Sequence, residues 1–201
     1  MTPRPAELSR LVGWHACRLL TRVTKPQRLA TDDRRVLEDV VFQALKLDRG
    51  TGRILFVGCN EHTGWYPQLF RFGAPRFETV DPDPEAARHG AGRDHRVATL
   101  QELGRDARLE RSFDAVVLNG VFNYGIDSAE QKAAAVDAVA TLLRSGGVVV
   151  IGYRDRSRAP DVDLSLFDSE RFAPAPIPGL TVGYHKTAHE NDHAFACFRK
   201  R

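Results

Sequence analysis

The chain has 201 residues, 42% of them hydrophobic and 27% charged, with a net charge of +3. This length supports one substantial core and a small appendage, so we expect a single main domain. Three widely separated cysteines (Cys17, Cys59 and Cys197) indicate neither a disulfide framework nor a zinc cluster and favour a reducing, cytoplasmic setting. No apolar stretch approaches the roughly 20 residues of a membrane span, and charges interrupt the start too often for a signal peptide, so we expect no membrane partner.

Residues 1–30 are predicted to form a helical arm, separate from a main domain over residues 31–201. Apolar residues recur at helical spacing within residues 5–20, which indicates one short helix. The arm is basic, with Glu7 as its only acid against Arg4, Arg10, Arg18, Arg22, Lys25 and Arg28. A solvated helix face explains this charge, and so does contact with an anionic substrate or nucleic acid. The helix either packs against the sheet or covers the site as a lid, in which case Trp14 contacts substrate.

A second helix is predicted to follow Thr31, a typical N-cap residue. Asp32 and Asp33 come next and are favourable near the positive end of a helix dipole. Gly50 ends the helix. Its apolar stripe contains Val36, Leu37, Val40, Val41, Ala44 and Leu45.

From residue 53 onward, strand and helix patterns alternate. Strands are predicted at residues 54–57, 77–80, 95–100, 113–118 and 148–152, and helices around 65–72, from 84 to 89, and over 129–143. Two further strands, at 179–183 and 193–199, are joined by a turn too short for a parallel crossover. The predicted fold is therefore an α/β three-layer sandwich with a mostly parallel seven-stranded sheet, helices on both faces and a C-terminal antiparallel hairpin.

The segment from Arg53 to Gly64 combines a buried strand with a glycine turn. Its apolar run is short, β-prone and stops at Gly58, as expected of a parallel strand whose end turns sharply under a ligand. The next predicted strand is followed by Asp81, where an acid can bind the two hydroxyls of a ribose. The spacing therefore indicates a nucleotide site.

Four motifs follow one another along the main domain. They are Ile54-Leu-Phe-Val-Gly-Cys-Asn, Glu78-Thr-Val-Asp-Pro-Asp-Pro, Phe113-Asp-Ala-Val-Val-Leu-Asn-Gly-Val-Phe and Leu142-Leu-Arg-Ser-Gly-Gly-Val-Val-Val-Ile. In order, they resemble the glycine motif, the acid loop, the fourth motif and the fifth strand of class I S-adenosylmethionine-dependent methyltransferases. The resemblance covers residues 31–200, and the terminal hairpin resembles the antiparallel strand that this family adds to a Rossmann-like sheet. It implies S-adenosylmethionine as cofactor and proximity-driven, in-line methyl transfer to oxygen or nitrogen of a small molecule.

The resemblance also implies the site residues. Cofactor-binding positions are Gly58, Cys59, Asn60, His62, Asp81, Pro82, Thr99, Leu100, Asn119 and Gly120, with Thr99 and Leu100 beside the adenine. Loops at the same strand edge carry Tyr124, Tyr153 and Arg154, which are predicted to contact substrate together with Trp14. Candidate catalytic residues are Tyr124, Tyr153 and His185. Of these, His185 has a side-chain pKa suitable for a general base. No histidine pair has the spacing of metal ligands, so no metal site is predicted.

Three positions depart from the family pattern. Phe56 replaces an acid, Asn60 replaces a glycine, and Thr99 stands near a position that commonly carries an acid. Asparagine tolerates left-handed backbone, so Asn60 is expected to preserve the turn. These departures leave open a degenerate binding or scaffold protein without transfer activity.

Other enzyme classes are less favoured. A nucleic-acid methyltransferase fits the basic arm, but the fourth motif reads Asn119-Gly-Val-Phe, without the paired prolines of base-amino methyltransferases. A nicotinamide-dependent dehydrogenase is disfavoured by the terminal hairpin and the incomplete glycine motif. We therefore expect a small-molecule substrate rather than nucleic acid, and the sequence leaves the oligomeric state undetermined.

Overall fold

The computed structural model describes residues 11–19, 31–156, 159–188 and 192–201. Within these ranges, the strands form one sheet in the order β3-β2-β1-β4-β5-β8-β6, and β7 also pairs with β8. The strands are β1 (Arg53–Val57), β2 (Arg76–Asp81), β3 (His95–Val97), β4 (Phe113–Asn119), β5 (Leu143–Arg154), β6 (Phe172–Pro174), β7 (Tyr184–Lys186) and β8 (His193–Lys200).

Strands β1 to β5 are parallel, and β8 runs antiparallel to each of its neighbours. On its other edge, β8 pairs with β6 at one end, where Phe172 faces Lys200, and with β7 at the other, where Tyr184 faces Ala196. The sheet is therefore seven positions wide, although it contains eight strands. The mostly parallel sheet and the antiparallel C-terminal hairpin are both confirmed.

Helices cover both faces of the sheet. They are α1 (residues 11–19), α2 (residues 32–47), α3 (Tyr66–Leu69), α4 (Leu100–Arg105) and α5 (Ala129–Leu142), and α2 contains a π-helical stretch at Val36–Val41 between two α-helical ones. Neighbouring residues of a strand point to opposite faces. Accordingly, Leu55 packs with the helices α4 and α5, whereas Phe56 packs with α1, α2 and α3. These two buried clusters make the three layers.

The two helices on one face begin at sequence-encoded caps. Ser128 accepts a hydrogen bond from the Gln131 backbone at the start of α5, and Thr99 accepts one from the Glu102 backbone at the start of α4. Both helices carry the reciprocal bond that completes a capping box. Thr31 occupies the N-cap position of α2 as predicted, but its side chain makes no capping hydrogen bond.

Near the C-terminus, the predicted strand boundaries are wrong. The strand expected at 179–183 is instead β7, because the backbone of residues 177–182 folds into a turn. Ile177 N donates to Val182 O at 2.9 Å, and Gly179 has a positive φ of 85°. Strand β6 was not predicted because three residues are too few for a recognisable period.

Several predicted elements are shorter than expected. The helix around 65–72 is reduced to α3, and residues Pro84–His89 form a 3-10 helix rather than the start of an α-helix. Strand β3 ends at Val97 because Thr99 serves as the cap of α4. None of these changes moves an element to another layer of the sandwich.

Part of the predicted N-terminal arm is described, and it packs on the sheet. Trp14 of α1 is buried in the cluster around Phe56, and Cys17 of the same helix is buried as well. Residues 1–10 and 20–30, including most of the basic side chains, lie outside the described residues. Over the ranges that are described, no helix combines the length and the apolar character needed to cross a membrane.

Candidate functional site

A cavity of about 320 Å³ opens at the carboxyl ends of the central parallel strands. It lies where the order of the sheet reverses between β1 and β4, the usual ligand position in open α/β sheets. Its volume is at the lower end of the range of about 300–1,000 Å³ typical of small-molecule pockets.

Two walls and one helix line this cavity. Helix α2 contributes Asp33 and Arg34. The β1–β2 wall consists of Gly58, Cys59, Asn60, Thr63 and Asp81. The β4–β5 wall consists of Asn119, Gly120, Val121, Tyr124, Tyr153, Arg154, Asp161 and His193.

Gly58 brings bare backbone to the β1–β2 wall. Its φ is +86°, and its N–H donates to Val80 O at 2.9 Å, so the chain turns away directly after β1. A Cβ atom at this position would lie only 2.9 Å from Val121 Cγ1. Both the left-handed backbone and the close approach of Val121 therefore require glycine here.

The turn after Gly58 is closed by side chains. Asn60 Oδ1 accepts a hydrogen bond from His62 N at 2.9 Å. Thr63 Oγ1 accepts from Asn60 N at 2.9 Å and donates to Asn60 O at 3.1 Å. The expectation of a left-handed Asn60 is wrong, because it is absent from the positive-φ residues of the described ranges. Asn60 instead supports the turn through its side-chain oxygen, as asparagine commonly does.

Asp81 connects the two loops of the β1–β2 wall. One carboxylate oxygen accepts a hydrogen bond from Cys59 N at 2.7 Å, and the other accepts from Asp83 N at 2.9 Å. A carboxylate has about four acceptor sites, so these two bonds leave capacity for ligand hydroxyl groups. The role of turn cap and the role of ribose ligand are thus compatible in one side chain.

The Cys59 thiol is protonated at neutral pH. Burial is the main reason that its pKa is raised to about 11; a hydrogen bond with Thr79 lowers the pKa, and the charge of Asp81 raises it. A thiol with such a pKa is a poor nucleophile. Cys59 therefore contributes packing and its backbone N–H rather than covalent chemistry.

On the β4–β5 wall, the half-buried Asn119 and the buried His193 form a polar pair. His193 Nε2 lies 3.2 Å from Asn119 Oδ1, and His193 is only 6% exposed. The pair fits because Gly152 lies between them: a Cβ atom there would be 2.0 Å from Asn119 Oδ1 and 2.9 Å from His193 Nε2. His193 opens β8 and pairs with Arg154 at the end of β5, and this register brings it to the cavity.

Arg154 and the two tyrosines differ in their exposure. Tyr124 is 55% exposed, and the Arg154 guanidinium lies over its ring at 5.1 Å from the centroid, which places this pair at the mouth. Tyr153 is buried. Burial first, and then the charge of Asp155 and the neighbouring Tyr184, raise the Tyr153 pKa well above its ordinary value. The raised pKa favours the neutral phenol, which can donate a hydrogen bond.

Asp161 is the most buried carboxylate of the cavity. It is 4% exposed, accepts a hydrogen bond from Asn123 Nδ2 at 3.1 Å, and lies 3.4 Å from the backbone N of Arg154. Asn123 has a positive φ of 60°, and its Oδ1 accepts a hydrogen bond from Lys132 Nζ at 2.7 Å. Asp161 thus has a fixed orientation in the wall.

The structure brings most, but not all, of the predicted site residues together. The cavity lining includes Gly58, Cys59, Asn60, Asp81, Asn119, Gly120, Tyr124, Tyr153 and Arg154. Among the described residues, its lining does not include Trp14, His62, Pro82, Thr99, Leu100 or His185. A part in binding or catalysis stays a prediction for these six and also for the residues within the lining.

Some of these six have structural roles that the sequence indicated less clearly. Trp14 is fully buried and meets the edge of Phe70, with ring centroids 6.4 Å apart. The Thr99 hydroxyl belongs to the capping box of α4, and Leu100, the first residue of that helix, is buried in the core. His185 lies in β7, where it pairs with Phe195 of β8.

Six residues of the lining were not predicted from sequence. They are Asp33, Arg34, Thr63, Val121, Asp161 and His193. The sequence contained one signal that could have found His193. It is the first residue of the predicted last strand, and in an antiparallel pair that residue lies beside the last residue of the neighbouring strand, β5. Asp161 had none, because it follows a polar connection without periodicity.

The chemistry of the lining favours an organic ligand. In the part of the chain that the structure describes, no three histidine, cysteine, aspartate or glutamate side chains are grouped closely enough to hold a metal ion. The cavity instead offers backbone groups beside Gly58 and Gly120, single carboxylates and aromatic surfaces. Such a mixture of a few polar groups with apolar surface is typical of small-molecule sites.

Comparison with known proteins identifies the fold. The sequence matches no protein-family model and no curated protein. The structure is similar to N-methyltransferase NodS from Bradyrhizobium japonicum WM9 in complex with S-adenosyl-L-homocysteine, with a TM-score of 0.58 and 19% identity over 94% of this chain and 98% of that one. It is also similar to a TehB-like SAM-dependent methyltransferase from Corynebacterium glutamicum, with a TM-score of 0.51 and 16% identity over 95% and 99% of the two chains. The chain therefore has the fold of the class I S-adenosylmethionine-dependent methyltransferases.

Proposed function

We propose that the chain transfers a methyl group from S-adenosylmethionine to a small-molecule acceptor. The observation that carries this proposal is the position of Asp81, whose carboxylate is fixed by Cys59 N and Asp83 N while it lines the cavity next to the Gly58 turn. An acid at the end of the second strand, beside a glycine turn after the first, is suited to an adenosyl group.

The residues present fit this cofactor. Asp81 has free acceptor capacity for the two ribose hydroxyls. Gly58 would hold the methionine part, because no side chain separates its backbone from the ligand. Beside Gly120, a Cβ atom would find nothing within 4 Å, so there is room for a ligand against the end of β4. On these grounds we assign the β1–β2 wall to the cofactor.

When bound, the cofactor supplies a methyl group already activated by its sulfonium. An acceptor lone pair forms the new bond to carbon, and the electron pair of the broken carbon–sulfur bond stays on sulfur. The chain's own residues therefore need to align the acceptor and exclude water. We assign this task to the β4–β5 wall, where the buried Val121 and Tyr153 limit solvent access. Asn119 and His193 hydrogen-bond the acceptor there, and Tyr124 and Arg154 shape the mouth.

His193 is the better-placed histidine on this side. It lines the cavity, whereas His185 is paired within the hairpin. Its hydrogen bond with Asn119 fixes the orientation of the ring, so we assign it to positioning the acceptor.

Two alternatives predict different behaviour. A protein that binds the cofactor without transfer is suggested by Phe56, which packs against Phe42, Tyr66 and Phe77, so that β1 offers no carboxylate at that position. The second alternative is a nucleic-acid substrate. The case for it is weaker because Arg18, a member of the basic arm, is paired with Asp39 of α2.

The test is calorimetric titration of the protein with S-adenosylmethionine and with its demethylated product. We expect both ligands to bind, and Asp81→Ala to weaken each by about 10–100-fold, the effect of losing hydrogen bonds to a charged group. The matched control is Glu130→Gln, which changes an exposed acid of α5 outside the cavity and should bind as the wild type does. Thermal melting of all three proteins separates a loss of binding from a loss of folding.

The outcomes are distinct. If neither ligand binds the wild-type protein, the proposed function is wrong. If both bind but no methyl transfer to pools of small molecules or nucleic acids is detected, the binding-protein alternative is favoured. Salt-sensitive methylation of nucleic acid would instead favour the nucleic-acid methyltransferase alternative.

A further inference from the structure

We infer that Asp161 recognises an N–H group of the acceptor, so that the small molecule methylated is an amine. This inference rests on the proposed function and specifies its substrate class. It follows from the burial of Asp161, the nature of its hydrogen-bond donors and the charge that methyl transfer creates.

A buried carboxylate is unfavourable unless hydrogen bonds or a cation compensate its charge. Asp161 is 4% exposed, and its hydrogen-bond donors within the described residues, Asn123 Nδ2 and the Arg154 backbone N, are both neutral. The second contact is long, at 3.4 Å. The remaining acceptor sites of Asp161, in the wall of the cavity, can therefore take a hydrogen bond from a ligand.

The orientation of Asp161 is fixed by a chain of three side chains. Lys132 Nζ donates to Asn123 Oδ1 at 2.7 Å, which leaves Asn123 Nδ2 to donate to Asp161 at 3.1 Å. A reversed amide would place its oxygen against the carboxylate and its N–H groups against the ammonium of Lys132. These three linked side chains thus hold Asp161 as an acceptor of hydrogen bonds, so a ligand that binds it must donate one.

Arg154 does not neutralise the charge of Asp161. Its guanidinium lies over the ring of Tyr124, which is 55% exposed, whereas Asp161 is almost fully buried. No ion pair joins Arg154 to Asp161 among the described residues. The positive charge therefore lies at the mouth of the cavity and the negative charge lies deeper.

The charge of the methylated product differs between an amine and an alcohol acceptor. When a neutral amine nitrogen bonds to the methyl carbon and the sulfur keeps the electron pair, the nitrogen becomes a cation beside Asp161, and an alkylamine product leaves as an ammonium ion that keeps its proton at neutral pH. Positive charge that develops next to a fixed carboxylate is stabilised more in the transition state than in the ground state. An alcohol gives a neutral ether after proton loss, and Asp161 would again lack a counter-charge.

The test uses matched amines and alcohols as probes, namely benzylamine with benzyl alcohol and cyclohexylamine with cyclohexanol. Their binding to the wild-type protein is measured by ligand-observed NMR, both with and without saturating S-adenosylhomocysteine. We expect each amine to bind at least about ten-fold more tightly than its alcohol at neutral pH, because the protonated amine adds a positive charge opposite Asp161 to the hydrogen bond that the alcohol can also donate. In Asp161→Asn this preference should disappear, whereas the exposed Asp168→Asn should retain it.

Two results would overturn the inference: equal or tighter binding of the alcohols to the wild-type protein, or an amine preference that survives in Asp161→Asn. Calorimetry with S-adenosylhomocysteine and thermal melting of each variant keep the experiment interpretable. Asp161→Asn should bind this product as the wild type does, since Asp161 is not in the β1–β2 wall. If the wild-type protein fails to bind S-adenosylhomocysteine, the proposed function fails separately, and the amine preference is then judged from the titrations without it.

Discussion

The β1–β2 wall and the β4–β5 wall differ in how the chain builds them. The first comes from residues 58–81 and depends on backbone groups, turn chemistry and one carboxylate. The second gathers side chains from residues 119–193, including the end of β5, the connection after it and the start of β8. Under the proposed function, the wall that holds a common cofactor is local, whereas the wall that selects the acceptor is assembled from distant segments.

This difference teaches where specificity can change. The β1–β2 wall is constrained by φ angles and main-chain hydrogen bonds, so few substitutions are tolerated. The β4–β5 wall depends on which side chains meet around Gly152, and new side chains can alter its chemistry without moving the strands. Three predictions test this comparison, starting with the largest expected effect.

Gly58→Ala should damage the β1–β2 wall most. Left-handed backbone costs a residue with a Cβ atom about 1–2 kcal/mol, and contact of that atom with Val121 adds to the cost. We expect lower stability and at least about ten-fold weaker binding of S-adenosylhomocysteine, because the turn can no longer hold Cys59 N against Asp81. Chemical denaturation and calorimetry measure the two effects.

Gly73→Ala is the matched control for Gly58→Ala. Gly73 has a similar φ of +76°, but a Cβ atom there meets nothing within 4 Å, and Gly73 does not line this cavity. It should lose stability and keep its affinity. Equal affinities for both variants and the wild type would show that the Gly58 turn does not position the cofactor.

Gly152→Ala should damage the β4–β5 wall selectively. The added Cβ atom would meet Asn119 Oδ1 at 2.0 Å and separate Asn119 from His193. Overpacking of this kind costs about 1–3 kcal/mol of stability. We expect the amine probes to lose affinity by more than S-adenosylhomocysteine does, and the double variant Gly152→Ala/Asn119→Ala to regain part of the lost stability. If the cofactor product loses more affinity than the amines do, the two walls are not separable.

The smallest expected effect concerns the β1–β2 wall and is the slow alkylation of the buried Cys59 thiol. Its pKa is raised to about 11 mainly by burial, so the thiol remains protonated below that pH. The rate of reaction with iodoacetamide should therefore keep rising between about pH 8 and pH 11, whereas an ordinary thiol with a pKa of about 8.5 would level off. Peptide mass spectrometry assigns the modified cysteine, Cys59→Ser is the control, and circular dichroism monitors folding. A plateau near pH 9 would contradict the assignment of a buried, neutral thiol.

Much of the fold was predictable because its signals are local. The continuous apolar runs of β1, β4 and β5 are typical of buried parallel strands, and the capping boxes at Thr99 and Ser128 fix where two helices begin. Boundaries were less predictable where a turn competed with a strand, as at Gly179, or where pairing alone stabilises a short element, as in β6.

The cofactor side of the candidate site was predictable for a similar reason. Gly58 follows β1 directly and Asp81 ends β2, and the carboxyl ends of parallel strands meet at one edge of the sheet. The prediction for Asn60 was wrong in its mechanism, because the choice between a left-handed residue and a side-chain turn depends on Thr63 three residues later. Thr99 was placed beside the adenine by resemblance, while its own sequence context, with Glu102 three residues on, indicates a helix cap.

The sequence by itself determined the alternation of strands and helices, the glycine turn and the acid at the end of β2, since each depends on residues close together in the chain. Only the tertiary structure decided that His193 meets Asn119 across Gly152, and that Asp161 is buried in the same wall with Asn123 and Lys132 behind it. These contacts depend on the register of β8 against β5 and on the path of the connection after β5. Strand pairing between distant segments leaves no local period, and for that physical reason the acceptor side became visible only in the folded chain.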